Sequence, residues 1–306
     1  MQKIEGIKVN SNVSVLVESM ANAGLQASNL ALALKILREM KKDKATIFLT
    51  FTSNMVSSGM REIFALLAKE KLVDVIITTV GSVEEDFIKS EKDFLLGSFE
   101  MDDVELNNKN INRIGNILVP SENYVWFEKK IQPMLKKMYS EKKIWKPFEI
   151  TKRMGEMLAD KNSFLYWCSK NNIPVFCQAM LDGAFGLQIY TFKQDNKDFI
   201  IDETGEQELA ELVITSEKTG GIILGGGVAK HHAIGVNLLK GGFDYAIYVN
   251  TTDPYDGSLS GAMTKEAISW NKIKKEANHV TVKGDASIIF PLLVSAFLDK
   301  KEKVVK

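Results

Sequence analysis

The sequence predicts an α/β protein with a doubly wound, mostly parallel sheet. Short apolar runs rich in β-forming residues alternate with helical stretches along most of the 306 residues. A polar turn and then a helix follow each of the first two predicted strands, a pattern typical of parallel strands joined by crossover helices. Six prolines and 21 glycines are too few to suggest a long flexible linker. We therefore predict a single domain over residues 1–306, in which residues 1–40 form an N-terminal helical extension.

Local patterns predict the individual elements. In the extension, Ser11 or Asn12 can cap a first helix that Gly24 would end, and a second helix is expected at residues 27–40. Residues 90–120 show no regular pattern and are predicted to be irregular. The other predicted helices are residues 60–69, a helix opened by residues 84–86, and residues 121–139, 147–158, 206–218, 230–239, 265–277 and 286–298. The predicted strands are residues 45–51, 72–79, 173–177, 188–192, 221–224, 243–250 and 280–283.

Composition and charge exclude several classes of protein. Lysine plus arginine equals aspartate plus glutamate at 39 each, so net charge gives no reason to expect nucleic acid or an anionic membrane as partner. No apolar run approaches the roughly 20 residues that span a bilayer, and the first ten residues lack the apolar segment of a signal peptide. Cys168 and Cys177 form no disulfide framework and are expected to be buried thiols. We predict a cytoplasmic protein.

Ligands of a Rossmann-like sheet bind beyond the carboxyl ends of its strands. The sequence has neither G-x-G-x-x-G nor a P-loop motif, so motifs alone would not suggest a dinucleotide. The GGG of residues 225–227 either lets the backbone approach a ligand closely or simply makes a tight turn. The polar turns expected at the strand ends are residues 53–58, 79–85, 182–183, 225–232, 250–260 and 285–287.

Acidic and imidazole side chains occur in these turns. Glu84 and Glu85, at a predicted helix start, suit ribose hydroxyls or an amine, or only complement the helix dipole. His231 and His232 would point about 100° apart on a helix, so only one can face a site. One of them could accept a proton, and the alternative is a capping or packed histidine. With His279 the sole other histidine, no metal site is predicted.

The segment GSLSGAMTKEAISWNKI is the richest in candidate residues. As a helix it would place Glu266, Trp270 and Ile273 on one face. Lys272 would lie on the adjoining side, where neighbours such as Ile268 could desolvate its amine. Desolvation lowers the pKa of a lysine and makes it nucleophilic at neutral pH. The alternatives are a surface lysine and a core tryptophan.

Ten blocks of sequence, taken in order, resemble deoxyhypusine synthase over nearly the whole chain. The stretch GLQASNL (residues 24–30) also resembles the helical extension of that family. The blocks are TSNMVSSGMRE (52–62), VDVIITTVGSVEEDFIK (73–89), INRIGNILVPSENY (111–124), IPVF (173–176), DGAFG (182–186), LGGGVAKHH (224–232), DYAIYVNTT (244–252), DGSLSGA (256–262), EAISWNKI (266–273) and GDASIIFPLL (284–293).

The resemblance implies an NAD-dependent aminobutyl transferase. A hydride passes from spermidine to NAD, an enzyme lysine attacks the resulting imine and releases diaminopropane, a lysine on the precursor of the hypusine-bearing translation factor displaces the enzyme lysine, and the new imine is reduced. It also implies a homotetramer built from tight dimers. The whole chain would then be one NAD-binding domain.

The resemblance also assigns residues. Lys272 matches the imine-forming lysine and His231 the histidine that acts as a base or touches the substrate. Further matches on the substrate side are Glu266, Trp270, Gly225, Gly227, Gly257 and Ser258. Matches to NAD-contacting positions are Ser53, Ser57, Thr79, Gly81, Glu84, Glu85, Asp182, Asp256, Ser260, Asp285 and Ala286.

Three positions depart from the better-known eukaryotic members of the family. Leu187 and Leu259 stand where those members carry aspartates that hold the polyamine, and Gly235 replaces an asparagine. A charged hydrogen bond contributes roughly 1.5–3 kcal/mol, so spermidine binding should weaken unless another acid such as Asp253 compensates. Two alternatives therefore stay open: a homospermidine synthase-like transfer to a small amine such as putrescine, and a non-catalytic regulatory relative.

Overall fold

The computed structural model describes residues 2–204 and 207–299. The chain divides into two compact units. We call residues 1–51 and 208–306 the terminal unit, and residues 52–207 the central unit. Parallel strands with flanking helices occur in both units, which confirms the predicted α/β class. The assignment of residues 1–306 to a single domain stays a prediction.

Helices and strands are numbered along the chain. The helices are α1 (Val13–Ser19), α2 (Leu25–Lys42), α3 (Ser53–Ser57), α4 (Arg61–Lys69), α5 (Val80–Lys89), α6 (Asp103–Asn108), α7 (Ser121–Glu141), α8 (Pro147–Met157), α9 (Phe164–Asn171), α10 (Ala184–Asp195), α11 (Gln207–Thr215), α12 (Gly227–Val236), α13 (Thr264–Ser269) and α14 (Ala286–Leu298), with 3-10 helices at Met20–Asn22 and Asn237–Lys240. The strands are β1 (Thr46–Thr50), β2 (Val75–Thr78), β3 (Leu95–Leu96), β4 (Ile111–Ile114), β5 (Ile117–Pro120), β6 (Ile144–Trp145), β7 (Val175–Cys177), β8 (Ile200–Ile201), β9 (Thr219–Leu224), β10 (Phe243–Asn250) and β11 (Ile273–Lys283).

The terminal unit contains a parallel sheet in the order β11-β10-β9-β1. Every residue of β9 is buried, as expected for a strand covered on both faces. The rings of Phe48 and Phe243 meet edge to face with their centroids 5.6 Å apart. Helix α2 packs on β10 and β11, and Asn12 caps α1 by accepting from the Val15 N–H at 2.9 Å, as predicted.

The central unit contains the parallel pair β2 and β7 and a small antiparallel sheet in the order β3-β5-β4. The prediction that residues 90–120 are irregular is therefore wrong. Strands β3, β4 and β5 have only two to four residues each, too short for a periodic pattern to show in the sequence. Both cysteines, Cys168 and Cys177, are buried thiols that no disulfide joins, as expected.

A buried ion pair fixes α5 within the central unit. Arg61 is 2% exposed, and its Nε donates to Asp86 Oδ1 at 2.6 Å while Nη2 donates to Asp160 Oδ2 at 2.7 Å. The other oxygen of Asp86 accepts from the Ser163 hydroxyl at 2.6 Å and the Leu165 N–H at 3.0 Å. Together these bonds hold α5 against α4 and the start of α9.

Two predicted elements are wrong in type. Residues 188–192 lie inside α10, not in a strand, because Phe185, Ile189 and Phe192 are buried at helical spacing. The helix predicted for residues 265–277 ends at Ser269 instead, because Asn271 takes a left-handed conformation (φ 53°), and β11 begins at Ile273.

Smaller differences concern boundaries. The first helix ends at Ser19 and a 3-10 helix precedes Gly24. The predicted start at Glu206 lies outside the described residues. Within the described residues, no helix combines the length and apolarity needed to cross a membrane.

We expect Arg61→Met to lower the free energy of unfolding by about 3–5 kcal/mol, because Asp86 would remain buried without its counter-charge. Urea denaturation of the whole chain measures the change. The control is Arg113→Met, because Arg113 pairs with an aspartate, Asp103, that is 63% exposed and should matter far less. Equal losses in the two variants would contradict a special role for the buried pair.

Candidate active site

Most of the predicted site residues follow the carboxyl ends of parallel strands. In the terminal unit, the GGG of residues 225–227 follows β9, the loop 251–263 follows β10, and Asp285 follows β11. In the central unit, Thr79 follows β2 and Asp182 lies shortly after β7. The expectation drawn from the doubly wound pattern is confirmed in position, although the roles of these residues stay predictions.

A cavity of about 290 Å³ in the terminal unit gathers the predicted catalytic residues. Gly225, Gly227 and Ser258, which were predicted to touch substrate, do not line it. Its lining consists of Lys230, His231, Ile234, Tyr248, Gly257, Leu259, Ala262, Met263, Glu266, Ala267, Trp270 and Lys272.

Lys272 reaches this cavity from a turn and not from a helix, so the predicted helical face of Glu266, Trp270 and Ile273 is wrong. The Lys272 N–H donates to the Ala267 carbonyl at 2.9 Å and closes the end of α13. Its ammonium lies 5.5 Å from the centroid of the Trp270 ring. Trp270 is 65% exposed and is therefore not a core residue. The turn brings Glu266, Trp270 and Lys272 to one cavity, although the sequence predicted that a helix would do so.

His231 lies on α12 and faces the same cavity, whereas its neighbour His232 does not line it. Burial lowers the pKa of His231, and electrostatic repulsion by Lys272 and His232 lowers it further. The imidazole is therefore largely neutral at pH 7 and able to accept a proton.

Lys230 was not singled out in the sequence, yet it organises one wall of the cavity. Its side chain is fully buried, and Nζ donates to the carbonyls of Leu259 and Ala262 at 2.7 Å each and to that of Ser260 at 3.4 Å. Burial lowers the pKa of Lys230 to about 8. The ammonium also lies 4.5 Å from the centroid of the Tyr248 ring. Lys230 thus fixes the loop that carries Leu259 and Ser260.

Tyr248 was also missed, because it sits within a mostly apolar strand. Its hydroxyl is buried and has no hydrogen-bond partner among the residues that the structure describes. The sequence signals were weak in both cases: one lysine beside two histidines, and the second of two tyrosines in the run YAIYVN. Neither pattern says which way the side chain points.

The loop after β10 is held against the start of α12. Ser260 Oγ accepts from the Gly227 N–H at 3.2 Å. A Cβ at position 226 would lie 2.3 Å from Ser260 Oγ, so only glycine allows this approach. Nearby, Asp256 accepts from the Ser258 N–H at 2.8 Å, and Asp285 caps α14, which begins at Ala286, by accepting from the Ser287 N–H at 2.8 Å. These groups form a polar rim at the strand ends of the terminal unit.

The central unit holds a second group of predicted residues around the start of α5. Glu84 Oε2 accepts from the Phe185 N–H at 2.8 Å, and burial raises the pKa of Glu84. Asp182 raises that pKa further by charge repulsion. Burial also raises the pKa of Glu85 to about 7, although a hydrogen bond from the Ser57 hydroxyl opposes the rise. Two buried carboxylates of this kind can accept hydrogen bonds from hydroxyl groups.

Backbone donors lie beside these carboxylates. Helix α5 begins after Thr79 and helix α12 after Gly226, and neither N-cap residue makes a side-chain capping bond. The first N–H groups of α5, and those of α12 that follow Gly227, can therefore serve an anionic group such as a phosphate. Gly81 permits close packing there, because a Cβ at that position would lie 2.7 Å from Ser53 Cβ. Among the residues that the structure describes, no cluster of histidine, cysteine or acidic side chains could hold a metal ion.

The two leucines that replace aspartates of the eukaryotic members lie in different surroundings. Leu259 lines the cavity, so Glu266 is the one carboxylate among its lining residues. Leu187 is 66% exposed on α10. Asp253, considered above as a compensating acid, is bonded to Lys283 and does not line the cavity.

Comparison with known proteins gives a consistent result. A family model described as deoxyhypusine synthase matches residues 15–297. Curated relatives described as deoxyhypusine synthases include one from Pyrococcus abyssi, 42% identical over 96% of this chain and 95% of its own, and one from Drosophila melanogaster, 40% identical over 98% and 89%. A crystal structure assigned to the same activity, from Entamoeba histolytica, is 29% identical with a TM-score of 0.70, and the match covers 98% of both chains.

The raised pKa of Glu85 predicts a pH-dependent stability. Between its ordinary value of 4.5 and about 7, the folded chain holds a proton on Glu85 that the unfolded chain releases. The free energy of unfolding should therefore fall as pH rises through this window, and Glu85→Gln should remove that part of the slope. Urea denaturation at several pH values measures it, with exposed Glu122→Gln as control. A slope unchanged in Glu85→Gln would contradict the assignment.

Proposed function

The chain belongs to the deoxyhypusine synthase family, and from that premise we propose that it transfers the aminobutyl group of spermidine to a lysine of the hypusine-bearing translation factor. The transfer passes through an imine on Lys272. The observation that carries the proposal is the cavity that brings Lys272, Trp270, Glu266 and His231 together. A nucleophilic amine, an aromatic face, a carboxylate and a neutral imidazole are the groups that this chemistry requires.

NAD is the proposed cofactor, and the residues present suit it. In the central unit, buried Glu84 and Glu85 can accept from ribose hydroxyls, and the uncapped start of α5 can donate to a pyrophosphate. In the terminal unit, the N–H groups of α12 that follow Gly227 and the polar side chains of Asp256, Ser260 and Asp285 offer the same kinds of contact. When bound, NAD supplies the hydride acceptor for oxidising the donor and the hydride for the final reduction.

Glu266 and Trp270 would hold the cationic donor. The carboxylate of Glu266 can bind an ammonium group, and the exposed indole of Trp270 can lie against a second cation or the methylenes beside it. Leu259 adds an apolar wall where family members of the eukaryotic kind have an acid. The chain therefore keeps the groups for the reaction more completely than the groups for binding a polycation.

His231 and Lys272 would carry the covalent steps. His231 accepts the proton that leaves the secondary amine of spermidine as the adjacent carbon is oxidised. Once its ammonium has released a proton to solvent, Lys272 adds to that carbon as a free amine. Its two remaining protons pass to the departing nitrogen, which leaves as diaminopropane. In the next exchange, the acceptor lysine adds to the same carbon and frees Lys272.

We also propose a homotetramer that works in the cytoplasm, where its protein substrate is used. Exposed apolar side chains support self-association, because burying them against a second copy would be favourable. On α10 and just before it, Leu181, Leu187 and Tyr190 are each about two-thirds exposed.

Borohydride trapping with labelled spermidine and NAD tests the proposal. We expect the wild type to form a trapped adduct and to pass label to the translation factor. Lys272→Arg should form no adduct and lose activity by on the order of 10³-fold, because the guanidinium is a poor nucleophile. The matched control is Lys265→Arg, because Lys265 lies on the preceding helix α13 and does not line the cavity.

Each other outcome of this experiment identifies a different function. Label passed only to putrescine would favour the homospermidine synthase-like reading. An adduct that still forms in Lys272→Arg would show that another lysine carries the imine. The absence of both adduct and diaminopropane in the wild type would contradict an enzyme of this type and favour a regulatory relative.

Glu266→Gln should raise the KM for spermidine about tenfold or more with a smaller change in kcat, because a charged hydrogen bond to the donor is lost. Initial rates over a range of spermidine concentrations measure the split. Glu276→Gln, an exposed acid on β11 outside the cavity, is the control. An unchanged KM would show that Glu266 does not hold the donor.

A further inference from the structure

Helix α3 needs support from its surroundings. It has five residues, Ser53–Ser57, and its N-cap residue Thr52 makes no side-chain capping bond. An isolated helix of this length is unstable in water, because its nucleation cost exceeds what so few hydrogen bonds return. Yet two of the residues proposed to contact NAD, Ser53 and Ser57, stand on it. Their positions must therefore be fixed by neighbouring groups.

Lys89, at the end of α5, provides that support. Its Nζ donates to three successive carbonyls, those of Val56 at 2.8 Å, Ser57 at 3.1 Å and Ser58 at 2.9 Å. These carbonyls lie at the C-terminal end of α3, where helical carbonyls lack a partner within the helix and where a positive charge is favourable. The three donors of the ammonium are thereby used on a single turn of backbone.

A second contact from the same face of α5 reaches the same turn. Glu85 precedes Lys89 by four residues, so the two side chains lie on one side of the helix. Glu85 accepts from the Ser57 hydroxyl. The end of α3 is therefore held by an ammonium on its backbone and a carboxylate on its side chain, both from α5.

We propose that Lys89 is a positioning residue for the cofactor: it holds the end of α3 so that Ser53, Ser57 and Glu85 keep the spacing that a dinucleotide requires. This inference rests on the proposed function, because it takes these residues to bind NAD. Lys89 itself is committed to backbone carbonyls and would not touch the cofactor.

Lys89 also influences the charge state of its neighbour. Its ammonium lowers the pKa of Glu85, against the larger effect of burial and the repulsion of Glu84. Burial lowers the pKa of Lys89 itself. Glu62 on α4 and Asp86 on α5 raise that pKa, and Arg61 on α4 lowers it. Tyr124 on α7 is close enough to Glu85 and Glu84 for both to raise its own pKa. Loss of the ammonium should therefore leave Glu85 protonated up to a higher pH.

The test separates the charge of Lys89 from its hydrogen bonds. Lys89→Gln and Lys89→Met both remove the charge, but the amide keeps donors that the thioether lacks, and either variant that folds decides the question. Lys89→Arg keeps the charge. Lys109→Gln, an exposed lysine in the same unit, is the matched control. Calorimetric titration with NAD from pH 6 to 9 gives the affinity and its pH midpoint, and circular dichroism confirms folding.

We expect the neutral variants to bind NAD on the order of tenfold more weakly at pH 7, because charge-assisted hydrogen bonds are lost. Their pH midpoint for binding should move upward, because ionised Glu85 is the form that accepts from a hydroxyl. Lys89→Arg should keep the wild-type midpoint, and Lys109→Gln should change neither quantity.

Other results would overturn the inference. A folded neutral variant with wild-type affinity, or with weaker binding at an unchanged pH midpoint, would reduce Lys89 to a purely structural residue. If instead the wild type binds no NAD, the proposed function fails, and the two failures are thereby distinguished.

Discussion

The site depends on hydrogen bonds from side chains to backbone carbonyls that lie in turns and at a helix end, beyond the regular bonding of helices and strands. Beyond the end of β10 the chain makes a loop whose carbonyls at Leu259, Ser260 and Ala262 would be costly to bury unpaired. Lys230 supplies the donors from α12 and is itself fully buried by doing so. Since Leu259 forms part of the cavity wall, Lys230 holds that part of the wall in place.

In the central unit, a lysine also donates hydrogen bonds to backbone carbonyls. Lys89 reaches three successive carbonyls at the end of α3, as Lys230 reaches three within a four-residue stretch of its loop. In both cases burial depresses the pKa of the lysine, because removing the ammonium from water costs free energy. The hydrogen bonds to the carbonyls offset that cost. A compact ammonium with three donors suits this task better than a planar guanidinium, whose donors are fixed in one plane.

Much of this arrangement could be predicted from the sequence. The mostly apolar strand β10 matched its predicted bounds, because burial on both faces of the sheet leaves a clear pattern in the sequence. The polar turns could be located because most of them begin at or just after the end of an apolar strand. The end of α13 was not predicted, because it depends on the left-handed conformation of Asn271, to which an asparagine adds only a weak preference. Lys89 and Lys230 could not be recognised, because a lysine's environment is set by tertiary packing.

The exposure of Trp270 has an optical consequence. An indole that is 65% open to solvent emits at longer wavelengths than a buried one, and it stands on the rim of the cavity beside the amine of Lys272. Trp145, by contrast, is 5% exposed and far less open to such changes. A cation or an aliphatic chain settling against Trp270 would alter its surroundings first. The molecule therefore carries its own fluorescent indicator of cavity occupancy, with no dye or label attached.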